Sequence, residues 1–245
     1  MRPFIKIFLG VWVTLTFQAT STHGQALIAL VFGGKVQNDK LTLGIYLAGQ
    51  ASSLTNTPGE KSLVGLAIGA YTNVKLSDKW AFCNYMAFKS PQGAKNIGLD
   101  HQIVPNAQFP DSLALIKRQF SYFELVPLMR YNITPSWGIA AGPRLAYRLT
   151  GNDYYLSTQS DGSKVTVQYP LKDVATHFDA GAAGDLQYSL GSGFGLKFNL
   201  RYTYDFVNVY KSDVPISAHN RYFSLGVGIP LGVKKQSPNT TTNQK

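Results

Sequence analysis

Residues 177–206 read HFDAGAAGDLQYSLGSGFGLKFNLRYTYDF. In the second half, Phe194, Leu196, Phe198, Leu200, Tyr202, Tyr204 and Phe206 occupy every other position. Gly195, Lys197, Asn199, Arg201, Thr203 and Asp205 fill the positions between. A strand sends alternate side chains to opposite faces, so this is one greasy face backed by one that is small and charged. The first half repeats the arrangement: Phe178, Ala180, Ala182, Leu186 and Tyr188 oppose Asp179, Gly181, Ala183, Asp185 and Gln187. Ser189–Gly193 is a glycine-rich turn, so the pair predicts a hairpin. A soluble barrel would turn the large apolar face inward. Here the opposite face mixes small residues with charges of both signs, which fits the interior of a barrel whose greasy face meets lipid.

Outward from this hairpin the same grammar recurs. Leu41, Leu43, Ile45 and Leu47 alternate with Thr42, Gly44, Tyr46 and Ala48; Val64, Leu66, Ile68, Ala70, Thr72 and Val74 alternate with Gly65, Ala67, Gly69, Tyr71, Asn73 and Lys75. Trp80, Phe82, Met86 and Phe88 share a face that Asn84 interrupts. Phe123, Leu125, Pro127 and Met129 oppose Tyr122, Glu124, Val126, Leu128 and Arg130. Trp137, Ile139, Ala141, Pro143, Leu145, Tyr147 and Leu149 oppose Gly138, Ala140, Gly142, Arg144, Ala146 and Arg148. The last strand sets Phe223, Leu225, Val227, Ile229 and Leu231 against Tyr222, Ser224, Gly226 and Gly228. The expected fold is all-β: an eight-stranded antiparallel transmembrane up-and-down β-barrel.

Connections are expected to alternate in length. Long ones fall near 51–62, 89–117, 150–172 and 207–219, short ones near 76–79, 133–136 and 189–193, as in barrels with short periplasmic turns and long external loops. Trp80, Trp137 and Phe194 each follow a short turn, and Tyr131 and Tyr188 close the strands entering two of them. These five are the expected aromatic girdle at one membrane interface.

The chain carries 23 Lys and Arg against 13 Asp and Glu, a formal net charge of +10. Arg2 and Lys6 precede an apolar run, Ile7–Phe17, and small polar residues lead to Gly24. This is a signal-peptide layout, too short for a spanning helix. The expected organisation is a signal over 1–24, a lead segment over 25–39 read as a short helix in preference to a strand, a barrel over 40–233 and a disordered polar tail over 234–245. Cys83 is the single cysteine, which excludes an intrachain disulfide. Without a basic helix or a recognition motif, an exported chain of this kind is not expected to bind nucleic acid.

The segments quoted above also resemble the PorT-like outer-membrane β-barrel family. The matching pieces are LTLGIY at 41–46, YFELVPLMRY at 122–131, AGPRLAY at 141–147, FDAG at 178–181, LRY at 200–202 and RYFSLGVG at 221–228. The resemblance implies a Gram-negative outer-membrane location and a multi-pass barrel.

Chemistry is expected inside the barrel. An eight-stranded barrel has room for side chains and little else, and buried charges must be paired. Glu124, Arg130, Arg144, Arg148, Asp179, Asp185, Lys197, Arg201 and Asp205 are therefore expected to form a lumen charge network, with Lys75 also inward and the arginines paired to carboxylates on neighbouring strands. No metal-ligand spacing, phosphate-binding loop or nucleophile elbow is present, and no cofactor is expected. The leading functional expectation is a non-enzymatic barrel with a structural or interaction role. Its lumen would be plugged, with outer-membrane lipid around it and envelope proteins as partners through loops 89–117 and 150–172. The alternatives are a lipid- or polysaccharide-modifying enzyme in which His177 pairs with Asp173 or Asp179, and a narrow pore or secretion-system component.

Overall fold

A computed structural model describes residues 40–57, 59–104, 115–158, 161–191 and 195–231. The signal, the lead segment, the tail over 234–245 and Phe194 lie outside these residues. Among the described residues nine strands follow one another: β1 (Leu41–Leu54), β2 (Lys61–Lys75), β3 (Trp80–Ile97), β4 (Leu115–Asn132), β5 (Trp137–Thr158), β6 (Lys164–Pro170), β7 (Phe178–Ser189), β8 (Lys197–Asp205) and β9 (Asn220–Pro230). A single 3-10 turn, Leu99–His101, lies after β3.

Eight of the strands close a ring. Neighbours run β1-β2-β3-β4, β4 pairs β5, then β7, β8 and β9 follow, and β9 returns to β1; all pairings are antiparallel. The ninth, β6, stands outside the ring and pairs only with the outer part of β5, from Asn152↔Pro170 to Thr158↔Lys164. Closure leaves the ring no open edge, which a sheet surrounded by lipid requires.

Alternation decides which side chains enter. Along β8 buried and exposed residues alternate without a break from Lys197 to Asp205. Leu200 (50% exposed) and Leu225 (68%) point out, whereas Arg201 (1%) and Asp205 (0%) point in. Greasy outside and charged inside therefore holds around the ring, with Asn84 on the outward register of β3 between Phe82 and Met86. Lys75 is a correction: it is exposed at the end of β2 and pairs with Asp78 at 2.7 Å in the next turn.

The glycines inside strands make room for tyrosines in the lumen. A Cβ on Gly44 would lie 2.2 Å from the Tyr71 ring, and one on Gly226 would lie 2.6 Å from the Tyr46 ring. The rings of Tyr46, Tyr71 and Tyr85 lie against this bare backbone and one another, the first and last with centroids 4.9 Å apart.

Two expected loops are corrected. Residues 90–97 continue β3, and 150–158 with 164–170 form the outer part of β5 and all of β6. Bulges between Ala87 and Ser90 and between Ser121 and Tyr122 shift the register there. A bulge moves one residue out of step and hides strand continuation from a period-two reading. The outer end holds an apolar cluster that includes Leu54, Ile97, Ile103, Ile116, Phe120 and Tyr210.

This polarity can be checked directly. Leu200→Arg puts a guanidinium on the outer face and should cost roughly 2–4 kcal/mol in the apolar band. The cost is read as a shift in equilibrium unfolding from lipid vesicles. A variant as stable as the wild type would mean that the outer face does not meet hydrocarbon.

Candidate functional site: the charged lumen

Strand parity brings Glu124 (β4), Arg144 (β5), Asp179 (β7) and Asp205 (β8) to one point inside the ring. Arg144 donates from Nε to Glu124 Oε2 at 3.0 Å and from Nη1 to Asp205 Oδ2 at 2.7 Å, and its Nη1 lies 3.3 Å from Asp179 Oδ2. Its guanidinium faces the rings of Tyr122 and Tyr222, 5.4 and 5.7 Å from their centroids. Glu124 also accepts from Tyr222 Oη (2.9 Å), Ser90 Oγ (3.1 Å) and Gln92 Nε2 (3.0 Å), and Asp179 accepts from Asn220 Nδ2 (2.9 Å). One cation thus joins three carboxylates, and the supporting donors come from β3 and β9.

A second pair lies nearer the short-turn end. Asp185 and Arg201 are direct cross-strand partners, bonded through Nε–Oδ1 and Nη2–Oδ2, both at 2.9 Å. Asn199 and Gln187 donate to the same carboxylate. The Arg201 guanidinium lies 4.4 Å from the Tyr85 ring centroid, within cation–π distance.

The other lumen cations correct the expectation of uniform Arg–carboxylate pairing. Arg130 donates to Ser189 Oγ at 3.2 Å, and Arg148 donates to the carbonyls of Thr176 (2.7 Å) and Ala175 (3.0 Å). Lys197 sits over the Tyr71 ring at 5.7 Å. Among the described residues none of these three makes an ion pair. Their spacing gave direction but not partner.

Sequence reading missed a third buried pair. Arg118 and Asp153 face one another across β4 and β5 and join through Nε–Oδ1 at 2.8 Å and Nη2–Oδ2 at 2.7 Å. Arg118 also bonds the Tyr210 hydroxyl, which ties the β8–β9 connection to the barrel wall. A signal was present: Ile116, Arg118, Phe120, Tyr122 and Glu124 keep one parity, so the inward face of β4 begins earlier than its polar neighbours suggest.

The histidines do not assemble a site. His177 is exposed beside the Tyr147 ring at 6.1 Å, while Asp179 is buried in the lumen. His219 Nδ1 lies 3.0 Å from the Val207 carbonyl, and His101 pairs with Asp100 at 3.5 Å. Among the described residues no His177–carboxylate ion pair and no three-ligand metal cluster occurs. In the 76–79 turn, the hydrogen bond and charge of Lys75 hold the Asp78 carboxyl below its ordinary range. Beside the β1–β2 turn, burial pushes the Glu60 carboxyl up despite the Leu54 N–H and Arg221.

Four aromatics bracket the short-turn end. Trp80 and Tyr131 are cross-strand neighbours with centroids 5.1 Å apart, as are Trp137 and Tyr188 at 4.8 Å.

A closed sheet, apolar outside and ionic inside, defines a membrane-spanning β-barrel. Residues 35–211 match the family described as "outer membrane protein beta-barrel domain". The chain belongs to that family and spans the outer membrane of a Gram-negative bacterium. No curated protein matches the chain. Among solved structures it is similar to Ail of Yersinia pestis, solved with the heparin analogue sucrose octasulfate (11% identity, 78% of this chain and 98% of that one, TM-score 0.41). It is likewise similar to Neisserial surface protein A (10%, 77% and 96%, 0.41) and to OprG of Pseudomonas aeruginosa (12%, 78% and 93%, 0.30).

Two substitutions separate the roles in the central cluster. Arg144→Met leaves three buried carboxylates without a cation and should cost about 3–5 kcal/mol. Glu124→Gln keeps the side-chain size and two other partners for Arg144, so it should cost about 1–3 kcal/mol. Urea unfolding of the inserted protein gives the order, and the reverse order would remove Arg144 from its central place.

The outer pair tests differently, because it lies beside apolar groups. Arg118→Met and Asp153→Leu should each destabilise by about 3–5 kcal/mol, whereas the double variant should come close to wild type. A double-mutant cycle reads this, and simple addition of the two losses would show that the pair is not coupled.

Proposed function

We propose that this protein is a non-conducting, non-enzymatic outer-membrane barrel that presents its outer end as a contact surface. The observation that carries the reading is what occupies the interior. Three layers succeed one another: tyrosines and small residues around Tyr46, Tyr71 and Tyr85, the ionic cluster on Arg144, and the apolar residues beside Arg118–Asp153. A conduction path would need water along the whole axis, and an eight-stranded ring is just wide enough for these side chains. The nine lumen charges named from the sequence act here as a structural plug, and Trp80, Tyr131, Trp137, Tyr188 and Phe194 as the interfacial girdle.

The contact surface is the part of the wall beyond the lipid band, with β6 and the segments joining β3 to β4 and β5 to β7. Envelope proteins are its proposed partners. The PorT-like affinity, the export signal over 1–24, the lead segment over 25–39, the barrel limits of 40–233 and the polar tail over 234–245 belong to the same proposal. His177 is exposed and makes no ion pair with a carboxylate among the described residues, which favours this reading over an acid–base enzyme.

Planar-bilayer recording tests it. The purified protein should insert without steady conductance across the usual voltage range. Reproducible single-channel steps would replace the plug with a pore.

A further inference from the structure

We infer that the outer wall from β2 across β4 to β7 is a binding site for a phosphorylated outer-leaflet lipid, its phosphates on Lys61, Lys95 and Lys117 of β2, β3 and β4 and an acyl chain in the groove that β4, β5 and β7 form beside Phe123. Lys61 and Lys95 are direct cross-strand partners. On β4, Arg118 pairs with Ala94 and Ile116 with Ile97, so Lys95 comes alongside Lys117. Three lysines therefore follow one another on three adjacent strands, and the Lys117 ammonium lies 5.2 Å from the centroid of the Tyr154 ring on β5. Like charges set opposite one another destabilise a sheet. Among the described residues no carboxylate lies within 4.0 Å of any of the three. The nearest acidic neighbour in sequence, Glu60, is engaged by the Leu54 N–H at 2.9 Å and by Arg221 at 3.8 Å. A multivalent anion from outside the chain would relieve this row.

The height of the row selects the anion. Lys117 stands fourteen positions along β4 from Tyr131 at the girdle end. At ~3.3 Å rise and ~45° tilt this is roughly 33 Å, just past an apolar band of about 25 Å. That is headgroup level. Lys89 lies lower, exposed on β3 in the bulge opposite Phe123, where its stem can run along the wall toward the same level.

Below Lys117, on the same strand, the outward face opens into a groove of about 380 Å³ lined by Phe123, Leu125, Leu145, Tyr147 and Phe178. Cations above and an apolar groove below match a molecule with phosphate at one end and hydrocarbon at the other. A soluble polyanion would use only the first. The inference is independent of whether the lumen conducts.

The test uses the full chain in phosphatidylcholine vesicles with and without a bisphosphorylated, acylated glucosamine disaccharide, reading the unfolding temperature by heat-modifiable gel mobility. The phosphorylated lipid should raise the transition in wild type. The rise should vanish in K61Q/K95Q/K117Q, persist in K61R/K95R/K117R and persist in the opposite-end control K75Q/K79Q. In pure phosphatidylcholine the glutamine variant should be at least as stable as wild type, because the repulsion is gone. If the glutamine variant does not insert, high salt on wild type reads the same contact and should abolish the rise. A rise that survives the glutamine substitutions or high salt overturns the site. An equal rise from the deacylated, water-soluble disaccharide overturns the lipid as its ligand.

Discussion

The guanidinium of Arg144 is the point at which the ring is tied together from inside. It projects from β5 and holds Glu124 of β4, Asp179 of β7 and Asp205 of β8, while Tyr222 of β9 reaches the same Glu124. Taking such ions out of water costs several kcal/mol each even after relaxation. The cost is offset where strands β4, β7 and β8 each bring a carboxylate to the same guanidinium. In a soluble barrel the apolar core would hold the strands together. Here the apolar groups face lipid, which selects where the barrel resides but gives its strands little reason to associate. Ladder hydrogen bonds and the lumen contacts must therefore supply cohesion.

The three interior layers follow from that division. Toward the short turns, tyrosines lie against glycine backbone and pack around the Asp185–Arg201 pair and Lys197. The middle layer carries the Arg144 cluster. Toward the outer end, where water could enter between the loops, apolar residues including Ile97, Ile103, Phe120 and Tyr210 pack together. An apolar cover keeps solvent away from the ions beneath and strengthens their attraction. The Arg118–Asp153 pair sits beside this cover and links β4, β5 and the β8–β9 connection through Tyr210.

How much of this could be read in the chain depends on the distance over which each feature is determined. Alternation is a local property, so the inward and outward faces of β7 and β8 followed from Phe178–Phe206 alone. Strand length was less legible, because the outer parts of β3, β4 and β5 rise beyond lipid and no longer need an unbroken greasy face. The bulges at Ala87/Ser90 and Ser121/Tyr122 then interrupt the period where the composition also changes. Partner choice was least legible. Arg144 and Arg148 share a parity four residues apart, yet one meets three carboxylates and the other two backbone carbonyls. The difference arises from strand stagger and from where the β5–β7 connection folds back, and neither is written in spacing.

The separation of Arg from Lys follows the same physics. The buried cations are Arg118, Arg130, Arg144, Arg148, Arg201 and Lys197, against the buried acids Glu124, Asp153, Asp179, Asp185 and Asp205. Six against five leaves the described interior close to neutral, so nearly all of the chain's formal +10 lies elsewhere. Inside, guanidinium dominates because its planar fork satisfies two acceptors at once, stacks on tyrosine and sheds water more readily than ammonium. On the wall, lysine takes over at Lys61, Lys75, Lys89, Lys95 and Lys117, where a long stem and a hydrated head suit an interface between hydrocarbon and water. The lumen thus comes close to balancing its own charge with guanidinium and carboxylate, while lysine is kept for the wall.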